Sequence, residues 1–291
     1  MKRRGLKRVS ACAAFFVTIA TLFCGGVLAD DIASLAARKF LNKEPVVETD
    51  PAMSMEQALA ARERFLQIAA KGLGKVAGYK AGLTNPAAQK AFGVSHPVRG
   101  TLFDAMLLKS GATVPADFGT RSFSEGDFAV RVGDERINSA KTPDEALRYI
   151  DAVIPCIELA DLVYDKKVKL TAVAITVINV GARFFVLGEP LNVEPSPEWR
   201  ARLKGFTVKL YDEKNDLLAE GKGENLLGDP LNVVLWIRDS LAAEGKQLKK
   251  GDILSLGSVT KIIPSKAGSA IRATYTGLDP KGPVDVRVQF R

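Results

Sequence analysis

Glu125 and Asp127 are separated by one residue within 123–132, a stretch that alternates as a strand, so both side chains leave the same face. Glu158 stands two residues after Cys156 in a second, strongly apolar stretch, Ile154-Pro-Cys-Ile-Glu-Leu. A carboxylate in such surroundings needs a partner, because a buried unpaired charge is very costly. Three carboxylates gathered together would repel one another unless a cation held them, and an all-oxygen set suits Mg²⁺ or Mn²⁺. Spacing alone also fits a solvated strand face with Glu158 paired to an arginine. Lys80 is a second candidate. In Gly78-Tyr-Lys-Ala-Gly-Leu-Thr84 it leaves a strand between glycines and enters a turn and a helix start, a setting that lets a small anion approach closely. An ordinary surface lysine beside a turn fits the same residues.

Other chemistries find less support. His96 is the only histidine, and no nucleophile elbow accompanies it, which argues against serine–histidine hydrolysis. The glycine-rich stretch 221–228 lacks the Gly-Lys-Ser/Thr ending of a phosphate-binding loop and reads as structural. Cys156 lies among apolar neighbours and reads as a core residue.

The elements that must position these groups are partly written in capping signals. Ser54-Met-Glu-Gln57 opens a helix with Leu59, Phe65, Leu66 and Ala69 as its apolar stripe, ending near Gly72. A strand is expected over 76–81, then a short helix over 86–92 with Gly93 past its end. Thr142-Pro-Asp-Glu145 opens a helix expected to run through Val153. Beyond it strands are expected over 154–159, 172–179, 184–187, 206–211, 217–221, 252–256, 270–275 and 284–290. One helix, capped by Asp229 and started by Pro230, interrupts them. Many short strands with a few helices predict an α+β fold, a mixed β-sandwich roll with peripheral helices.

The N-terminus carries a different signal. Lys2, Arg3, Arg4, Lys7 and Arg8 precede an apolar run over 11–28, and Val27-Leu28-Ala29 places small or β-branched residues before Asp30. This pattern predicts a secretory signal over 1–29, export to a bacterial periplasm, and no membrane anchor after cleavage. A lead-in segment over 30–53 and one catalytic domain over 54–291 follow. Removal of five basic residues and no acid would lower the net charge from +8 to +3, which is no argument for nucleic acid. Cys12 and Cys24 would also leave, so the mature chain has no internal disulfide.

Four ordered stretches carry a resemblance: GYKAGLTNPAAQKAFGVSHPVRGTLF, SEGDFAVRVG, DAVIPCIELADL, and GKGENLLGDPLNVVLWIRDSLAAEGKQLKKGDILSLGSVT. Across roughly 55–290 the chain resembles the 2-keto-4-pentenoate hydratase and 2-oxohexenedioate decarboxylase branch of the fumarylacetoacetate hydrolase superfamily. The resemblance implies a fumarylacetoacetase C-terminal-like β-roll, a Mg²⁺ or Mn²⁺ site, small 2-oxo or enol acid substrates, and a homo-oligomer. It places metal ligands on Glu125, Asp127 and Glu158, with aspartate where the second glutamate of the family pair would be. Lys80 falls on the catalytic lysine, facing substrate as an orienting group or as a proton relay with a lowered pKa. Leu83, Thr84, Asn179, Ser258 and Thr260 fall on substrate-binding positions. The implied activity is a hydro-lyase adding water to a 2-hydroxy-2,4-dienoate. Decarboxylation of a 2-oxo dicarboxylate, with Arg99 binding the extra carboxylate, is the chemical rival. Two departures stand out. Ile178 replaces an aspartate, and Val98 stands where hydratases often carry an acid, which keeps open a binding protein that has lost turnover. The superfamily's hydrolase branch needs a histidine–glutamate dyad at a lid, which His96 does not supply.

Overall fold

The computed structural model describes residues 22–291, with side chains from Asp31 onward. Most of the expected signal segment therefore lies outside the described residues. Helix α1 (Leu22–Asn42) runs through the expected cleavage point and into the lead-in segment. Among its described side chains, Ala33, Ala36, Ala37 and Phe40 are buried and recur at one-turn spacing. Half of the expected lead-in is thus a packed helix. Phe40 meets Phe65 of α2 (Met55–Leu73) edge to face at 5.4 Å, and Arg183 donates to the Phe40 carbonyl at 2.7 Å. Among the described residues no helix is long and apolar enough to cross a membrane.

The local signals that open α2 hold as read. Ser54 Oγ accepts from Gln57 N, and Gln57 Oε1 accepts from Ser54 N, closing a capping box. Strand β1 (Val76–Gly82) leads to α3 (Pro86–Phe92), capped by Asn85 and ended by left-handed Gly93. Then come β2 (Val98–Phe103), β3 (Leu107–Lys109), β4 (Ala112–Val114) and β5 (Ser122–Val132). Helix α4 (Pro143–Leu147) is shorter than expected. It stops before Val153 because β6 (Ile150–Asp161) already runs into the sheet centre, with its residues from Ala152 onward buried on both faces.

The expected strand over 172–179 is instead helix α5 (Ala172–Val177). Its β-branched composition suggested extension, but Thr171 Oγ1 accepts from Ala174 N and Thr176 Oγ1 back-bonds to the Ala172 carbonyl. Burial of nearly the whole turn hides any polar face. The chain continues through β7 (Phe184–Leu187), β8 (Leu191–Asn192), α6 (Pro197–Gly205), β9 (Thr207–Tyr211) and β10 (Leu217–Lys222). Helix α7 (Pro230–Ala242), β11 (Ile253–Ser258), β12 (Ile263–Pro264), β13 (Ala270–Asp279) and β14 (Gly282–Phe290) complete it.

Two sheets pack face to face. The larger runs β2-β1-β11-β5-β6-β7-β3, with β12 and β8 beside it; the smaller runs β10-β9-β13-β14-β4. The α+β roll with peripheral helices is therefore present. Along β5 and β6 the pleat divides the two cores. Phe128 and Val130 face the small sheet in one core with Phe206, Val208 and Tyr275. Ala129, Ile154 and Cys156 face the other way, in a core shared with Phe40, Phe65 and Phe185. By the same alternation the three acids share that second face.

Candidate metal centre

Antiparallel pairing of β5 with β6 sets Glu125 directly opposite Glu158, and Asp127 opposite Cys156. Along this face apolar Ala129, Ile154 and Cys156 give way to Asp127, Glu158 and Glu125. One oxygen from each acid lies within 4.8 Å of those of the other two, and this is the one such trio of ligand-type residues among the described residues. Glu158 and Asp127 are fully enclosed, and Glu125 is 5 % exposed. The solvated-strand reading of this pair therefore fails.

The sheet curls to bring in the lysine. In a flat sheet β1 and β6 would stand about 14 Å apart, yet Lys80 Nζ is ion-paired with Glu158 Oε1 and also donates to the Val180 carbonyl at 3.2 Å. Glu158 is thus paired with a lysine, not an arginine. Asp127 is held on both oxygens: Oδ2 accepts from Ser255 Oγ at 2.9 Å, and Oδ1 accepts from Phe128 N at 2.5 Å and Gly257 N at 3.2 Å. Ser258 on β11 pairs with Asp127 across the ladder to β5. Beneath the trio the Tyr275 hydroxyl lies 2.5 Å from the Asp127 carbonyl and 2.6 Å from that of Cys156, pinning the β5–β6 register from the small sheet.

Burial pushes the three carboxyls up. Glu125 rises to about 8, from desolvation and then the charge of Glu158; Glu158 rises to about 7 and Asp127 to about 6, also chiefly from desolvation. Burial alone would lower Lys80, but Glu158 and Glu125 reverse this and hold it above the ordinary lysine range. In the metal-free site these carboxylates therefore favour the ammonium form of Lys80, which fits an orienting donor. Glu158 Oε2 is buried without any hydrogen-bond partner. A lone pair left bare beside two other carboxylates is the arrangement a hard divalent cation completes. The donor set fits such an ion.

The remaining expected site residues divide. Thr84 packs against Gly257, whose positive φ of 102° brings its backbone close. Leu83 joins an apolar cluster with Val98, Ile175 and Val180. Asn179 spends its amide on the strand: Oδ1 accepts from Thr101 N at 2.6 Å and Nδ2 donates to the Thr101 carbonyl at 2.8 Å. Thr260 Oγ1 accepts from Gly126 N and donates to the Lys261 carbonyl. In this arrangement Asn179 and Thr260 shape the site's walls through backbone contacts. Arg99 is a correction. Strand alternation turns it away from Lys80 toward α7, where it pairs with Glu244 at 2.5 Å and donates to Ser240 at 3.0 Å, so it is not a carboxylate anchor. Ser255 was missed, although a serine between Leu254 and Leu256 in an apolar strand was a legible signal. The Val180 carbonyl had no signal in its side chain.

The raised carboxyls give a signed pH dependence. In metal-free protein the folded state holds the Glu125 proton more tightly than the unfolded chain. The associated stability is present below the unfolded value and is lost as pH rises through about 8. In EDTA, Glu125→Gln should therefore raise Tm by several degrees at pH 8.5 and change it little at pH 5. Mg²⁺ should stabilise the wild type more than the variant at pH 8.5. Equal effects of the substitution at both pH values would contradict this electrostatic picture.

No protein-family model matches the chain. Among relatives, it is 26% identical over 251 residues to the 2-keto-4-pentenoate hydratase of Paraburkholderia xenovorans, covering 84% of this chain and 87% of that one. It is 31% identical over 196 residues to a 2-hydroxypent-2,4-dienoate hydratase of Pseudomonas putida, covering 66% of this chain and 85% of the relative. In fold it is similar to a Pseudomonas putida 4-oxalocrotonate decarboxylase solved with magnesium and adipate. The TM-score is 0.77 at 22% identity, over 93% of this chain and 98% of that one. The alignments span 87% and 85% of the two sequence relatives, a likeness that extends over most of each of them. The chain belongs to the 2-keto-4-pentenoate hydratase family.

Proposed function

We propose that this protein is a Mg²⁺- or Mn²⁺-dependent hydratase that adds water to a small 2-hydroxy-2,4-dienoate and yields a 4-hydroxy-2-oxo acid. The observation that carries the reading is the enclosed trio of Glu125, Asp127 and Glu158 with its unpartnered oxygen, in a chain whose relatives are named for this reaction. These three residues would hold the ion. When bound, it supplies a Lewis acid for the oxygens of a 2-oxo acid.

The chain's own groups set the rest. Conversion of the dienol to its 2-oxo tautomer leaves a conjugated enone, to which water adds with hydroxyl at C4 and a proton at C3. Lys80, anchored by Glu158 and Val180, has one N–H beyond these two contacts for the substrate carboxylate. Ser255 and Gly257 N fix Asp127, so that ligand cannot swing away during turnover. Val98, where the resemblance leads one to expect an acid, clusters instead with Val180 and Leu83 as apolar surface. That surface suits a substrate without a second carboxylate. The decarboxylase alternative loses its proposed anchor with Arg99.

With Mg²⁺, the protein should hydrate 2-hydroxypenta-2,4-dienoate and release no CO₂ from a 2-oxo dicarboxylate. Glu158→Ala should lower turnover by at least a hundredfold and abolish Mn²⁺ binding in a calorimetric titration. A Glu158→Ala protein with unchanged metal affinity and rate would sink the assignment. CO₂ release without hydration would replace it with the decarboxylase, and saturable ligand binding without either product would replace it with a binding protein.

Export is part of the proposal and rests on the basic start, the apolar run and Ala29. Cleavage there would leave Asp30 and Asp31 in the first turn of the remaining helix, where acids complement the dipole, and would keep all of its described buried face. Mass spectrometry of the protein from a periplasmic fraction should give a chain beginning at Asp30. An intact Met1 chain confined to the cytoplasm would refute export.

A further inference from the structure

Between α5 and β7 the backbone passes through the left-handed region. Asn179, Val180 and Gly181 are all left-handed, with φ of 57°, 57° and 68°. Glycine adopts this region freely and asparagine tolerates it, but valine does not, because its branched Cβ crowds the backbone there. Such a residue costs about 1–3 kcal/mol and persists only where its surroundings over-determine it.

The surroundings here do so from three sides. Asn179 is tied through both amide atoms to the backbone of Thr101 on β2. Gly181 N and Ala182 N close tight turns onto the carbonyls of Ile178 and Asn179, and Ile178 is fully buried. The segment lies against β1 and β2 at glycines: a Cβ on Gly82 would come within 2.5 Å of Val180 Cγ1, and one on Gly100 within 2.7 Å of the Asn179 carbonyl. The segment is a strap laid over two strand positions that only glycine leaves open. Toward the acids it presents the Val180 carbonyl, which accepts from Lys80 Nζ.

We propose that Val180 is a positioning residue for Lys80, and that its strained backbone aims the lysine's remaining N–H at the substrate. An ammonium has three N–H donors in tetrahedral array. Fixed by Glu158 alone, it can turn about that one contact. Fixed by Glu158 and the Val180 carbonyl together, its third N–H has one direction. Placement of donors before substrate arrives is what lets a charge contact act without reorganisation during reaction.

This inference rests on the proposed function for its kinetic readout but not for its spectroscopic one. Val180→Gly frees the left-handed backbone while leaving a carbonyl in place, and Val180→Ala restricts it part of the way. With 2-hydroxypenta-2,4-dienoate and Mg²⁺, kcat should fall about tenfold or more in Val180→Gly, with Val180→Ala between. KM should stay within threefold, and Mn²⁺ affinity within twofold. In ¹⁵N-lysine spectra of the metal-free proteins, the sharp Nζ resonance that Lys80→Met removes should broaden or shift in Val180→Gly. Unchanged kcat with an unchanged Nζ resonance would overturn the proposal. Parallel loss of kcat, Mn²⁺ affinity and thermal stability would also overturn it, since that pattern marks ordinary packing. If the wild type turns over no dienoate, the hydratase reading fails, and the Nζ comparison alone decides the role of Val180.

Discussion

Three carboxylates sit on one enclosed face of a curled sheet, and much else in the protein answers to their mutual repulsion. Glu125 and Glu158 face each other across the β5–β6 pair, the position where like charges destabilise a sheet most directly. Lys80 compensates one negative charge, while Ser255 and two backbone amides hold the oxygens of Asp127. One oxygen of Glu158 still has nothing. The register that creates this conflict is itself secured: Tyr275 reaches from the second sheet to the backbone of Asp127 and Cys156, so slippage would break a buried contact as well as the ladder. A structure that fastens its acids so firmly in a costly arrangement is prepared for a cation.

Curling of the large sheet is the second condition. Lys80 and Glu158 belong to strands separated by β11 and β5, and only a rolled sheet lets them pair. Small residues permit the roll to close. Gly126 admits Val208 and Leu210 of the opposite sheet, while Gly82 and Gly100 admit the segment that carries Val180. The face opposite the small sheet is then covered by α1, α2 and α5, which excludes water from the inner side of the trio and raises its carboxyl pKa values.

Reading the residues alone reached the elements that carry their own punctuation. Ser54 with Gln57, Asn85 with Pro86 and Gly93, and Asp229 with Pro230 each mark a helix end by local hydrogen bonding, and each stands where expected. What failed was buried on every side. In α5, Ala-Val-Ala-Ile-Thr-Val shows neither an amphipathic stripe nor an exposed face, and its β-branched composition pointed to a strand. In β6, continuous burial hid where α4 ended. The stripe of α1 is made chiefly of alanines beside a far stronger apolar run, so it read as a lead-in. In the site, the pairing of Glu125 with Asp127 was visible as strand periodicity. Their meeting with Glu158 and Lys80 depended on long-range register and curl, which no local pattern states, and was reached only through resemblance. Arg99 shows the converse: proximity in sequence to the site said nothing about which side of β2 it would take.

The central claim is that Glu125, Asp127 and Glu158 together bind one divalent ion. Anomalous diffraction from crystals grown with Mn²⁺ tests it most directly. The account predicts one strong anomalous peak bounded by carboxylate oxygens of all three residues, absent from crystals of Glu158→Ala. Fully occupied Mn²⁺ elsewhere, with the trio bare and Lys80 still paired to Glu158, would contradict it.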